Sequence, residues 1–348
     1  MKQKLGILLA AVVLLALLLT ACAPTEPPVA PPADDTTAQN SAAPADAGDQ
    51  SNQPAEAADG GEQPAGEPAG EPADEPPAND FTPLPPERQP IEITSAGDRM
   101  LEGWYYPAKV DNAPVVVLMH WAIGTMEDWQ VIALWLQNRL DEVSVPQPGP
   151  EAYYDISWFP PMPQDVSYAV VVFNFGNFGN SPFGGDRESW VWDAIAALKF
   201  ASTIEGVDPN RISAMGASIG ADGPVDGCYL FNDANDDAAC IGTLSLSPGN
   251  YLTENFSYPE AVAQLDGRGY PAWCLASEGD YESPALCEVL AGDHTRSFIF
   301  SGADHGMDLI TPDHFPMEPA LPDINTMMII QEWLEVTYGV PLNDYSIP

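Results

Sequence analysis

Ser218 stands between two glycines in the stretch MGASIG, residues 215–220, a G-x-S-x-G spacing. A serine hydroxyl is a poor nucleophile until a base takes its proton. That base is usually a histidine, because its pKa lies near neutrality, and the histidine needs an acceptor on its other ring nitrogen to fix its tautomer. Four histidines are available. His305, in SGADHGMD, follows an apolar run near the C-terminus; His120 ends an earlier apolar run; His294 and His314 sit in polar or proline-rich loops. Position favours His305 as the base. His120 reads better as a residue that packs and hydrogen-bonds under the loop that follows it. For the acid, Asp280 ends AWCLASEGD, with Glu278 and Asp304 as rivals. Asp304 adjoins His305, and chain neighbours rarely aim their side chains at each other. The chain order becomes Ser218, Asp280, His305. A serine among glycines is equally what a loop or a tight packing contact would use, so the elements around it must decide.

Those elements alternate. IEITS (91–95) and LEGWYYPA (101–108) read as an opening hairpin. PVVVLMH (114–120) and YAVVVFNF (168–175) are continuous apolar runs of the kind expected for strands buried on both faces. A helical stretch, 126–140, and a proline- and aromatic-rich excursion, 141–167, lie between them. Residues 193–205 read as a helix, ISAM (212–215) as a short strand, and Ile219 to about Leu230 as a helix, so MGASIG falls at a strand's carboxyl end. Segments 240–249, 271–280 and 297–306 each begin as a strand and end in a loop, and 325–339 closes the chain as a helix. The order implies an α/β fold with a mostly parallel, twisted sheet and helices on both faces. Sites in such sheets form at the carboxyl ends of the strands, where Ser218, Asp280 and His305 all fall. The tryptophans Trp121, Trp129, Trp158, Trp190 and Trp192 could line a pocket or pack in the core.

The N-terminus has a different character. MKQK precedes an apolar run ending in Leu19-Thr20-Ala21-Cys22. This is the pattern of a secretory signal, and its ending resembles the lipobox of bacterial lipoproteins. The resemblance implies cleavage after residue 21, lipidation of Cys22 and an extracytoplasmic, membrane-anchored protein. An ordinary signal peptide or a short membrane anchor is the alternative. Residues 22–90 are rich in proline, alanine and acids and nearly devoid of large apolar side chains, which predicts a disordered tether. Residues 91–348 suffice for one domain and hold 37 acidic residues against 8 basic ones. That balance argues against nucleic acid or anionic lipid surfaces as partners. Besides Cys22 there are Cys228, Cys240, Cys274 and Cys287. Three pairings are possible outside the cytoplasm, and Cys228–Cys240 with Cys274–Cys287 is favoured because each closes a short local loop. Zinc is the rival use, but close C-x-x-C pairs are missing.

Taken together, VVVLMHWAIG, FNFGNFGNS, VDPNRISAMGASIGADG, ASEGD and GADHGMD resemble, in this order, the oxyanion, glycine-turn, nucleophile-elbow, acid and histidine segments of the α/β-hydrolase superfamily. The likeness is strongest to its dienelactone-hydrolase-like and esterase branches. It implies an α/β-hydrolase fold and cleavage of a small-molecule carboxylic ester through an acyl-enzyme. Ser218 would be the nucleophile, His305 the base and Asp280 its partner, with the backbone amides of Ala122 and Ile219 as the oxyanion hole. No metal or cofactor is implied. Two departures stand out: the family usually has His-Gly where this chain has His120-Trp121, and dienelactone hydrolases proper carry cysteine as nucleophile. A catalytically silent surface-binding module, or a peptidase or acyltransferase with the same triad, are the alternatives. Oligomeric state is not legible.

Overall fold

A computed structural model describes residues 81–345 and Ile347. The signal segment 1–21, Cys22 and most of the 22–90 tether lie outside the described residues. Among the described residues, nine strands form one sheet: β1 (Gln89–Ser95), β2 (Arg99–Tyr106), β3 (Ala113–Met119), β4 (Ala169–Phe173), β5 (Val207–Ala217), β6 (Cys240–Leu246), β7 (Ala272–Ser277), β8 (Thr295–Phe300) and β9 (Pro316–Glu318). Their spatial order is β1-β2-β4-β3-β5-β6-β7-β8-β9. The six strands from β4 to β8 run parallel, while β1, β2 and β9 pair antiparallel at the two edges. Residues 81–88 also contact the domain: Gln137 Nε2 donates to the Pro86 carbonyl and Arg139 Nη1 to that of Leu84, at 2.8 and 2.7 Å.

The helices are α1 (Gln130–Gln137), α2 (Ser189–Ala201), α3 (Ile219–Ala234), α4 (Tyr258–Asp266), α5 (Ser283–Glu288) and α6 (Thr326–Tyr338). The apolar runs explain their distribution. In β3, Val116 and Leu118 face a core shared with α1 and α6, while Val115, Val117 and Met119 face a second core with α2, α3, α4 and α5. A strand buried on both sides must be apolar at every position, which is how β3 and β4 read. Local chemistry fixes the helix ends. Asn325 caps α6 through the Met328 amide, and Gly339 ends it in the left-handed region. A reciprocal Ser257–Glu260 capping box starts α4.

The helix expected over 126–140 is split into a 3-10 turn, Met126–Trp129, and the shorter α1. It stops because Asn138 adopts φ +51° and turns the chain away. The short strand expected at 212–215 is part of an eleven-residue strand, Val207–Ala217, which meets β3 at Val207 and, past a register shift, pairs with it again from Ile212. The helices α4 and α5 and the strand β9 have no counterpart in the reading of the sequence.

Two disulfides join neighbouring elements. Cys228–Cys240 ties α3 to β6, and Cys274–Cys287 ties β7 to α5. Disulfides of this kind persist outside the reducing cytosol. The second bond closes the segment that contains Asp280. Among the described residues, no helix is long and apolar enough to cross a membrane.

Candidate active site

β5 delivers Ser218 and α3 leaves from it. Ser218 has φ +54° and ψ −122°, a backbone region that side chains avoid. The close approaches on either side explain the two glycines. A Cβ on Gly216 would lie 1.8 Å from the Gly220 carbonyl oxygen. A Cβ on Gly220 would lie 2.4 and 2.5 Å from the carbonyl oxygens of Met119 and His120. The elbow is therefore wedged against the end of β3. The Ser218 amide is taken by the Leu246 carbonyl at 2.9 Å, which extends the β5–β6 pairing by one step and holds the turn.

The three residues singled out from the sequence meet. His305 Nε2 lies 2.8 Å from Ser218 Oγ, and His305 Nδ1 lies 2.7 Å from Asp280 Oδ1. The Asp280 side chain is 1% exposed and that of His305 30% exposed. Asp280 Oδ2 has no partner among the described residues. Backbone pairing brings the two loops together: the Glu278 amide donates to the Phe300 carbonyl and the Gly279 amide to that of Gly302, both at 2.8 Å. Glu278 is exposed and contacts the Gly302 amide instead of His305. Asp304 faces His314 at 3.2 Å. Neither rival acid reaches His305. In this arrangement a neutral imidazole can accept the serine proton while its other nitrogen donates to a buried carboxylate.

Ala122 and Ile219 both line a cavity of about 500 Å³ that opens above Ser218 and His305. Among the described residues neither backbone amide has an acceptor, so both are available to a bound oxygen. His120 sits beneath this loop, fully buried, as the sequence suggested. The Phe175 amide donates to its Nε2 at 3.1 Å, so the proton is on Nδ1, which donates to the Trp121 carbonyl at 2.7 Å. Burial pushes the His120 pKa down to about 4, which keeps the ring neutral. The Trp121 carbonyl and the Ala122 N–H belong to one planar trans peptide, so holding the first fixes the direction of the second.

Trp121, which stands where the family resemblance implies glycine, lines the same cavity. Its indole Nε1–H donates to Asp128 Oδ2 at 2.7 Å, and Asp128 Oδ1 accepts from the Tyr154 hydroxyl at 2.6 Å. Glycine is required at both ends of this packing. A Cβ on Gly124 would collide with Asp128 and the indole, and one on Gly306 would come 3.0 Å from the ring. Of the other tryptophans, Trp129 is core, Trp158 and Trp190 donate to the Ala152 and Gly176 carbonyls, and Trp192 is largely exposed. None of these four lines the cavity.

Sequence reasoning missed Ile123, Tyr251, Tyr281 and Glu282, which complete the cavity wall. It also missed Asp222, one turn beyond Ser218 on α3. Asp222 is buried and accepts from the Gly249 amide at 3.0 Å and from the Tyr251 amide, which holds the loop that carries Tyr251. No local pattern marks it, because its partners lie 27 and 29 residues further along the chain. Burial raises the Asp222 pKa to about 7 against the pull of these amides. Burial and then the charge of Asp222 raise that of neighbouring Asp226 as well, and Asp226 Oδ1 has no partner among the described residues.

The sign of the linkage follows. With Asp226 raised above its unfolded value, the native form retains a proton that the unfolded chain gives up. Its contribution to stability is full below the ordinary carboxylate range and declines as pH rises above it. Asp226→Asn, which mimics the protonated group, is therefore expected to raise the thermal midpoint relative to wild type at pH 8, with the gap closing toward pH 4.5. A gap that is constant with pH would contradict a retained proton.

No protein-family model matches the chain, and no curated protein matches it in sequence. Solved structures do. An α/β hydrolase, GrgF from Penicillium sp. sh18, superposes with a TM-score of 0.52 at 11% identity, over 73% of this chain and 100% of that one. This chain has the α/β-hydrolase fold. An esterase from Pyrobaculum calidifontis matches at 16% identity and TM-score 0.44, over 64% of this chain and 78% of that one. The carboxylesterase EstE1, cloned from a metagenomic library, matches at 18% identity and TM-score 0.44, over 65% and 83%. At 11% identity the likeness to GrgF is one of fold. A second cavity, about 490 Å³ and lined by Arg88, Tyr106 and Val143 among others, contains none of Ser218, Asp280 or His305.

Proposed function

We propose that the chain is an extracytoplasmic serine hydrolase that cleaves carboxylic esters, held at a membrane by lipid on Cys22. The observation that carries the catalytic reading is the continuous hydrogen-bonded line from Ser218 Oγ through His305 to Asp280, at 2.8 and 2.7 Å. Ser218 Oγ attacks the ester carbonyl as His305 Nε2 takes its proton. The imidazolium is stabilised by the Asp280 carboxylate, and the amides of Ala122 and Ile219 receive the negative oxygen. The intermediate collapses, the C–O bond to the alcohol breaks, and His305 returns its proton to the leaving alkoxide. Water, activated by the same imidazole, then releases the acid and regenerates the serine. The serine nucleophile favours simple ester cleavage over the lactone opening of the cysteine-bearing dienelactone hydrolases. Lipid anchoring rests on the L-T-A-C ending of the leader, and the extracytoplasmic location on that leader and on the two disulfides, which fit an oxidising compartment.

The full-length chain is expected to hydrolyse p-nitrophenyl acetate, and an acid-quenched reaction is expected to carry an acetyl group on the peptide containing Ser218. A folded chain with no turnover, or turnover with the acetyl group elsewhere, would contradict this reading.

A further inference from the structure

The two most exposed large apolar side chains of the described residues are Tyr281, 91% exposed, and Ile123, 82% exposed. Both lie on the same cavity as Ser218, one beside the acid and the other beside the oxyanion loop. Scattered exposed apolar residues need no explanation, but two extreme cases facing one opening do. Tyr281 is also held at φ +41°, a backbone region uncommon for a bulky residue. The fold keeps an aromatic ring at the mouth at a conformational cost. Trp121, Ile219 and Tyr251 add apolar surface to the same cavity.

Among the described residues, Glu282 is the carboxylate on this rim, and no lysine or arginine lines the cavity. The six arginines of the domain are placed elsewhere: Arg99 pairs with Asp193, Arg139 with Glu142, Arg187 with Glu254 and Arg268 with Asp233. Arg211 lies over Tyr338 and Arg296 over Trp273. A substrate carboxylate entering here would meet Glu282 with no cation on the wall to offset it.

We infer that this site selects uncharged esters bearing an apolar group, which Ile123 and Tyr281 grip at the rim, and that Glu282 rejects anionic ones. The inference rests on the serine-hydrolase reading above. Recognition of this kind is apolar contact plus a charge penalty, so it should appear in ratios of kcat/KM between matched substrates.

The test compares p-nitrophenyl acetate, p-nitrophenyl hexanoate and p-nitrophenyl hydrogen adipate, the last matching hexanoate in chain length but ending in a carboxylate. A second arm compares methyl and hexyl acetate. Wild-type kcat/KM is expected to favour the longer neutral ester by about 10-fold in at least one arm, and hexanoate over adipate by about 10-fold or more. Tyr281→Gly, which suits the positive φ, and Ile123→Ser are each expected to reduce the chain-length ratio at least about 3-fold. Glu282→Gln is expected to reduce the hexanoate-to-adipate ratio by a similar factor. Flat ratios in wild type, or ratios unchanged in all three variants, would overturn the inference. Reaction of wild type with a fluorophosphonate separates the two failures. A chain that labels but shows flat ratios loses only the selectivity; a chain that neither labels nor turns over any ester loses the reading beneath it.

Discussion

Ser218→Ala is expected to lower kcat for p-nitrophenyl acetate by about 10⁴-fold or more while leaving the chain folded. The size of the loss comes from the chemistry. Without the hydroxyl there is no acyl-enzyme, and only the amides and the pocket remain to assist attack by water. Structural damage should be small. Ser218 sits at φ +54° whichever small side chain it carries, and the contacts that hold the elbow are made by its own amide and by the two glycines. The lost hydrogen bond to His305 spans a partly exposed pair, and such bonds contribute about 1 kcal/mol. Circular dichroism and the unfolding midpoint should therefore match wild type closely. Turnover retained within 10-fold in a folded Ser218→Ala chain would remove the serine from the mechanism.

The second large effect concerns His120, which is fully buried and does not line the cavity. Its Nδ1–H holds the Trp121 carbonyl at 2.7 Å and thereby aims the Ala122 amide. His120→Leu removes that restraint and leaves the buried Phe175 amide without its acceptor. We expect kcat to fall about 10²-fold, the usual scale for losing one oxyanion donor, with a smaller change in KM. The orphaned amide should also destabilise the fold by about 1–3 kcal/mol. Because that cost could blur the kinetics, Trp121→Phe provides a second reading. It keeps an aromatic ring between the loop and Gly306 but gives up the bond to Asp128. Its kcat should fall with little change in unfolding free energy. Unchanged kcat in both folded variants would show that the loop is held by other means.

The elbow was legible because its requirements are local. A strand, a serine between two glycines and a helix follow one another in sequence, and the glycines are needed for contacts within a few residues or with the end of β3. The buried strands were legible because continuous valine runs suit burial on both faces. The choice of Asp280 over Glu278 could be guessed from position, but it is decided by pairing between the β7 and β8 loops, which turns Glu278 outward.

What escaped notice depends on partners distant in sequence. Trp121 reads as a departure because no local pattern marks the contact of its indole with Asp128, seven residues on. Its anchor, Asp128, is held in turn by Tyr154 from the irregular excursion. The three-residue β9 is held by its pairing with β8 and by a bridge from Met317 to Ala320. Helix α4 is the exception, since Ser257 and Glu260 spell a capping box that could have been read.

The most direct measurement is mass spectrometry of the full-length chain after treatment with a fluorophosphonate. A nucleophile activated by His305 and Asp280 should form one adduct, on the peptide containing Ser218, and esterase activity should disappear in step with it. A folded chain that hydrolyses esters but carries the adduct on another residue, or that never forms one, would contradict the account.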